Sequence, residues 1–147
     1  MLLGAAYAGL AIENSMLGAV HASANPLSSQ HGMVHGKAVG VMMPWVIRFN
    51  CCVPDALSIY AGLARRLHLV DVGESMEKAA EAVALRVEQL LDAAGIGRRL
   101  EESGVKEENI PSLSMQAVQQ WTAGFNPRPV AESDFRALYR QAIRSAV

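Results

Sequence analysis

The sequence predicts an all-α protein, a multi-helix bundle, from three observations. Hydrophobic residues make up 51% of the 147 residues while aromatic residues make up only 5%, so aliphatic and small side chains must fill the interior, as in closely packed helices. The apolar residues recur with a helical period of about 3.6 residues, and no segment alternates strongly enough to predict a strand. The length is that of one domain, and neither a repeat nor a low-complexity linker divides it.

The first predicted helix covers residues 2–22 and is apolar almost all round, with Glu13 as its one acidic residue. A helix without a polar face belongs at the centre of its fold. Asn25-Pro26 and the following Leu27-Ser28-Ser29 predict a reversal of the chain, because the residue before a proline disfavours helical geometry.

Further helices are predicted over residues 36–49, 54–67, 75–94 and 112–121, and a last one is centred on Phe135 to Ile143. Pro44 interrupts the hydrogen bonding of the second helix. Pro54 starts the third, whose Arg65-Arg66 end complements the helix dipole. The helix over 75–94 has a regular apolar face, and its charged face is predicted to be solvated.

Charge and cysteine usage exclude several function classes. The formal net charge is −1, so the chain lacks the basic footprint expected for binding nucleic acid or an anionic membrane. The apolar start is shorter than the ~20 residues of a membrane span. Cys51 and Cys52 are adjacent, which suits ordinary disulfide geometry poorly, so we expect small buried residues at a helix end and a cytoplasmic location.

His21 and His35 form the first candidate metal site. They lie 14 positions apart, which on one continuous helix would separate them by roughly 21 Å at ~1.5 Å per residue. A shared ion, about 2 Å from each imidazole nitrogen, therefore requires the chain to reverse between them. The predicted reversal at Asn25-Pro26 would allow the two histidines to face each other across a helix-turn-helix.

His31 and His35 form a competing pair, because their i, i+4 spacing would put both imidazoles on one helical face. Gly32 and Gly36 argue against this alternative, since each weakens a helix by about 1 kcal/mol relative to alanine. No acidic residue lies between the two histidines to act as a base. Spacing by itself leaves both pairs open.

The segments GAVHASANPL and HGKAVGVMMPWVIRFN resemble the metal-binding segment of the iron-containing, or group III, alcohol dehydrogenases. His21 and His35 fall on two metal-ligand positions of that family, which implies binding of Fe²⁺ or Zn²⁺. Asn25 stands where many members carry a further histidine close to the nicotinamide and the substrate. His31 falls at a variable position and is interpreted as a loop histidine.

The C-terminal part also resembles this family. Asn126-Pro127-Arg128-Pro129, followed by the helical residues 134–139, is similar to the ending of its members. The resemblance places Thr122, next to Trp121, in the region that approaches the substrate pocket. From the residues themselves, Trp121 is expected to pack, Asn126-Pro127 to form a turn, and Arg128 to cap a helix or lie at the surface.

The resemblance implies that residues 1–147 are a single helical domain, a C-terminal fragment of an NAD(P)-dependent alcohol dehydrogenase that interconverts alcohols and aldehydes by hydride transfer. The N-terminal nucleotide-binding domain and two further metal ligands would lie outside it, and no Gly-rich phosphate loop follows a predicted strand. We expect a homo-oligomer and an inactive isolated fragment. The alternative is a free-standing helical interaction module or metal sensor without catalysis.

Overall fold

The computed structural model describes residues 2–144, with side chains for residues 2–143. Within this range the chain forms α-helices and short 3-10 helices and no strand, which confirms the all-α prediction. The α-helices are α1 (Leu2–Ser15), α2 (Ala19–His31), α3 (His35–Asn50), α4 (Pro54–Arg66), α5 (Met76–Ala93), α6 (Ile110–Val118) and α7 (Glu132–Arg144). The 3-10 helices are Leu100–Ser103, Glu107–Asn109 and Trp121–Phe125. In residues 2–144, no helix has both the length and the apolar character needed to cross a membrane.

Two hydrophobic clusters share α3. The larger cluster joins α2, α3, α6 and α7, and its largest fully buried side chains include Tyr139, Phe135, Leu27 and Met42. The smaller cluster joins α3 to α4 and α5 and is mostly alanine and valine with Ile47. Small side chains let these helices approach closely: a Cβ added at Gly40 of α3 would lie only 2.7 Å from Leu91 Cδ2 of α5.

The single central helix predicted over residues 2–22 is wrong. It is split at residues 16–18, where Met16 has a left-handed φ of 62° and Gly18 is extended. Asn14 Nδ2 and Ser15 Oγ donate to the carbonyls of Leu10 and Ala11 and so satisfy the last turn of α1 locally. No residue of α1 is buried, so its apolar surface lacks a covering partner among residues 2–144.

The reversal between the two histidines is real, but its predicted position is wrong. Asn25 and Pro26 lie inside α2, where the ring of Pro26 is fully buried in the core. The chain turns instead after His31, where Gly32 has a φ of 63° and the N–H groups of Gly32 and Met33 donate to the Leu27 carbonyl. Packing of Pro26 therefore outweighs the local preference of Asn-Pro for a turn.

The other helices match their predictions to within a few residues, with one exception. Ser75 caps α5 by accepting a hydrogen bond from the Lys78 N–H. The helix predicted over 112–121 begins earlier and ends earlier, as α6, with Pro111 in its first turn. The chain then continues into the Trp121–Phe125 3-10 helix, which the sequence did not predict.

The charged face of α5 is only partly solvated, contrary to prediction. Arg48 of α3 forms ion pairs with Glu81 at 2.6 Å and Glu88 at 2.8 Å. Arg98 pairs with Glu88 and Asp92 in the same network. These half-buried pairs fix α3 to α5, while Glu77 and Lys78 remain exposed. The two cysteines after α3 also differ from expectation, since Cys51 is half-buried and Cys52 is exposed.

Candidate metal centre

His21 and His35 face each other at the surface of the bundle. His21 lies in the first turn of α2 and His35 is the first residue of α3, and their rings meet because the chain reverses at Gly32. Their ring centroids are 5.3 Å apart and the rings are tilted by 45°. His21 is half-buried and His35 is exposed. The predicted pairing of these two histidines is thus present in the fold.

The competing pair is not formed on one helix. His31 is the last residue of α2, residues 32–34 are non-helical, and His35 begins α3. The i, i+4 geometry that would align two imidazoles on one helical face is therefore interrupted. The interpretation of His31 as a loop histidine is also off by one position, because it still belongs to α2.

The electrostatics favour the neutral form of His21. Burial lowers the pKa of His21, and the positive charge that His35 can carry lowers it further. A neutral imidazole offers a nitrogen lone pair, which is the form that binds a metal ion. The lowered pKa therefore favours the form of His21 that can accept a hydrogen bond or a metal ion.

The spacing of the two rings fits a shared ion. Two imidazole nitrogens that bind one tetrahedral ion at about 2.1 Å place their ring centroids roughly 5 Å apart, close to the 5.3 Å observed. Within residues 2–144, however, no group of three or more His, Cys, Asp or Glu side chains is placed to hold a metal. The described residues thus offer two candidate ligands at this place.

Asn25 lies one turn beyond His21 on α2, so its side chain is on the same side of the helix. Its Nδ2 donates to Gln120 Oε1 at 2.9 Å. This bond holds the side-chain amide in place. The Asn25 Oδ1 atom has no hydrogen-bond partner among the residues that the structure describes. Gln120 was not among the predicted site residues.

Thr122 lies next to α2 in the Trp121–Phe125 3-10 helix. It is 3% exposed, and its hydroxyl has no hydrogen-bond partner within the described part of the chain. Trp121 was expected to pack, but it is 62% exposed and meets Phe125 edge to face with ring centroids 5.8 Å apart. This 3-10 helix therefore presents two aromatic side chains to solvent beside α2.

Asn126 and Arg128 turn out to connect the helices that carry the histidines. Asn126 Oδ1 accepts from the Ala19 N–H at the start of α2, and Asn126 Nδ2 donates to Asn50 Oδ1 at the end of α3. Arg128 donates to the Phe49 carbonyl, with its guanidinium 3.8 Å from the centroid of the Phe49 ring. The capping role predicted for Arg128 is confirmed, whereas Asn126 does more than form the predicted turn.

A mostly apolar cavity is also present, and it does not include the histidine pair. It has a volume of about 580 Å³ between α3, α4 and α5, and the N-terminal end of α2 forms one of its walls. Its lining is mostly apolar, and neither histidine contributes to it. The two candidate metal ligands therefore lie outside this cavity.

Comparison with known proteins decides the family. The model of the Fe-containing alcohol dehydrogenase family, C-terminal, matches residues 1–143. The chain belongs to this family. This family member is 34% identical over 142 residues to lactaldehyde reductase from Escherichia coli (strain K12), a match that covers 97% of the chain and 37% of that protein. It is 35% identical to 1,3-propanediol dehydrogenase from Klebsiella pneumoniae, covering 92% of the chain and 34% of the relative.

Solved structures agree with this assignment. A crystal structure of 1,3-propanediol oxidoreductase matches with a TM-score of 0.81 and 33% identity, over 87% of the chain and 33% of the solved chain. An alcohol dehydrogenase from Oenococcus oeni matches with a TM-score of 0.84 and 29% identity, over 92% and 35% respectively. The family member thus spans about a third of the length of the relatives it matches, and its helices follow their fold.

Proposed function

We propose that this family member is the metal-binding, substrate-side domain of an NAD(P)-dependent alcohol dehydrogenase that interconverts alcohols and aldehydes. The observation that carries the proposal is the His21–His35 pair, whose ring centroids are 5.3 Å apart. The names of the relatives support it, since they describe reductases and dehydrogenases of small hydroxy compounds.

His21 and His35 would hold Fe²⁺ or Zn²⁺ as neutral imidazole ligands, and histidine nitrogen does not select between these ions. Because residues 2–144 provide no third ligand beside the pair, the remaining ligands would come from residues outside this sequence. When bound, such an ion polarises an alcohol or carbonyl oxygen, while NAD(P) in the complete enzyme accepts or donates the hydride.

Asn25 would lie beside the reaction on both the cofactor and the substrate side. Its amide is held by Gln120, so it can orient a hydroxyl or a carboxamide by hydrogen bonding. An amide does not act as a general acid or base near neutral pH, so any proton transfer would use another group. Thr122 would line the substrate side, where its buried and unpartnered hydroxyl has the capacity to bind a polar group.

The proposed partners of the domain follow from the two ligands that its metal site would lack and from its nearly neutral charge. The partners are a small alcohol or aldehyde, a nucleotide-binding domain that precedes these residues, and further copies in a homo-oligomer. The balanced charge of −1 fits a cytoplasmic enzyme that binds neither nucleic acid nor a membrane. The isolated 147-residue chain, with two of four ligands, would lack dehydrogenase activity and bind metal weakly.

Metal binding is tested directly by titrating the chain with Zn²⁺ and following the histidine ring protons by NMR. We expect the His21 and His35 signals to shift together, and His21→Ala or His35→Ala to abolish the response of the remaining partner. The other two histidines provide matched controls: His31→Ala at the end of α2 and His68→Ala at the exposed turn after α4 should bind as the wild type does. A response centred on His31 and His35 would restore the competing pair.

Activity is tested in a chimera in which this chain replaces the corresponding part of Escherichia coli lactaldehyde reductase, the 34% identical relative. We expect NAD(P)-dependent oxidation of a small diol, one bound metal per subunit by elemental analysis, and loss of both in the His21→Ala chimera. A folded chimera that binds no metal would contradict the proposal. Turnover by the isolated chain would contradict the predicted inactivity.

A further inference from the structure

The residues between α6 and α7 anchor α2 on both sides of His21. Gln120 holds Asn25, four residues after the histidine, and Asn126 holds the backbone of Ala19, two residues before it. Both anchors come from positions about a hundred residues away in sequence. The two anchors together fix the turn of α2 that carries the imidazole.

Asn126 is the more constrained of the two anchors. Its side chain uses its full hydrogen-bonding capacity: Oδ1 accepts from the Ala19 N–H and Asn50 Nδ2, and Nδ2 donates to Asn50 Oδ1 and the Arg128 carbonyl. The residue is 9% exposed. A buried amide with four partners has one orientation and hence fixes the positions of the groups it contacts.

The start of α2 has no cap of its own. Gly18 precedes the helix and provides no side-chain hydrogen bond, although the first N–H groups of a helix need acceptors. Asn126 Oδ1 supplies one at 3.2 Å from the Ala19 nitrogen. Gly18 also leaves room for it, because a Cβ at that position would lie 3.0 Å from the same oxygen.

The same amide contacts α3. Asn50 is the last residue of α3, and His35 is its first. Asn126 therefore joins the beginning of the helix that carries His21 to the end of the helix that carries His35. A shift at this junction would rotate or translate the two helices relative to each other, and it would change the separation of the rings.

We propose that Asn126 is a positioning residue that holds the His21 imidazole opposite His35. The structural part of the proposal concerns the two rings only, and its consequence for metal binding rests on the proposed function. Ligand orientation by residues beyond the ligands themselves commonly changes metal affinity by about 10- to 100-fold.

The first test needs no metal. In the 147-residue chain, proton–proton NOE signals between the two imidazole rings report their proximity. We expect Asn126→Leu, which fills the space but forms none of the four hydrogen bonds, to lose these signals. Val83→Ala weakens the other hydrophobic cluster and should keep them, which separates positioning from general loss of stability. A folded Asn126→Leu chain with unchanged signals would overturn the proposal.

Gly18→Ala is a milder variant that decides the matter if Asn126→Leu does not fold. The added methyl group must displace Asn126 Oδ1 by a few tenths of an ångström, so the ring-to-ring signals should weaken. Gly62→Ala adds the same methyl group where no atom lies within 4 Å and should leave the signals unchanged. Wild-type signals in Gly18→Ala would then overturn the proposal.

Zn²⁺ affinity separates this proposal from the proposed function. We expect the dissociation constant of Asn126→Leu to rise about 10-fold, with Val83→Ala and Gly62→Ala unchanged. If the wild type binds Zn²⁺ no better than His21→Ala, the metal site fails while the ring-to-ring signals still test the role of Asn126. If the wild type binds and Asn126→Leu binds equally well, the positioning role fails.

Discussion

α1 and the first turn of α2 were predicted as one helix, yet α1 and α2 have opposite environments. α1 is almost entirely apolar and has no buried residue, whereas α2 is less apolar and contains Ala19, Ala22, Ala24 and Leu27 at 0% exposure. Hydrophobic content therefore does not by itself determine burial. α2 is buried because α3, α6 and α7 pack against it, and because Tyr139 of α7 and the preceding Asn126 form hydrogen bonds with its backbone.

The polar contacts of α2 are specific. Tyr139 of α7 donates to the Ser23 carbonyl at 2.7 Å, and Asn126 accepts from the Ala19 N–H. α1 has only hydrogen bonds within its own helix among those observed for its side chains. The difference shows that contacts with partner elements, and not apolar content, distinguish the core helix α2 from its more apolar neighbour α1.

Among variants that test the contrast between α1 and α2, Leu27→Ala should cause the largest loss of stability. Leu27 is fully buried in α2, so removing its side chain should lower the free energy of unfolding by about 3 kcal/mol through lost burial and a cavity. Leu3→Ala in α1, where the side chain is 66% exposed, should change it by no more than about 0.5 kcal/mol. Urea denaturation of both variants measures the difference, and equal losses would mean that α1 is buried in solution.

Tyr139→Phe should have the next largest effect. It removes the buried hydrogen bond that the Tyr139 hydroxyl donates to the Ser23 carbonyl, at a cost of about 1–2 kcal/mol. Tyr7→Phe in α1 is the matched control, because Tyr7 is 63% exposed, and we expect no change in the urea midpoint. If Tyr7→Phe lowered the urea midpoint as much as Tyr139→Phe, the proposed contrast between an exposed α1 and a buried α2 would be wrong.

Stability should also fall in alkali because of Tyr139. Burial raises the pKa of Tyr139 above its usual value, while an unfolded tyrosine titrates near about 10. Above that pH the unfolded chain releases a proton that the folded chain retains, so the free energy of unfolding decreases as pH rises. In Tyr139→Phe, the free energy of unfolding should decrease less steeply between about pH 10 and pH 11, as measured by urea denaturation at each pH. Some slope should remain, because burial also raises the pKa of Tyr60.

Local sequence patterns were sufficient to predict a helix where the tertiary packing agrees with them. Ser75 marks the start of α5, Pro54 that of α4, and the apolar period defines α5 and α7. These patterns failed where contacts with residues distant in sequence determine the bounds of a helix. Pro26 stays helical because it packs in the core, and α2 begins at Ala19 because Asn126, 107 positions away, accepts its N–H.

The candidate site was predictable in part for the same reason. The need for a reversal between His21 and His35 followed from helix geometry, and Gly32 was visible as a helix-weakening residue. That Gly32, and not Asn25-Pro26, makes the turn depends on the packing of α2 against α3, α6 and α7. Gln120 and Asn126 lie far along the chain and carry no local sign of contact with α2.

A smaller effect is expected at the turn that separates α2 from α3. Gly32 has a φ of 63°, so Gly32→Ala should destabilise the chain by about 1 kcal/mol through left-handed strain. Gly62→Ala in the interior of α4 meets open space and should stabilise by up to about 1 kcal/mol because alanine favours helix. Opposite shifts in the thermal midpoint would confirm the turn, and a stabilising Gly32→Ala would place the reversal elsewhere.

The smallest effect on unfolding is expected from Leu10→Glu in α1, where the side chain is 56% exposed. The free energy of unfolding should stay within about 0.5 kcal/mol of the wild type. Self-association should nevertheless decrease, because a charge in an exposed apolar surface opposes contacts between copies. Sedimentation velocity over a range of concentrations measures this, with Glu77→Gln on the exposed face of α5 as a control. Unchanged association together with lost stability would show that α1 packs on its own chain and would remove the contrast with α2.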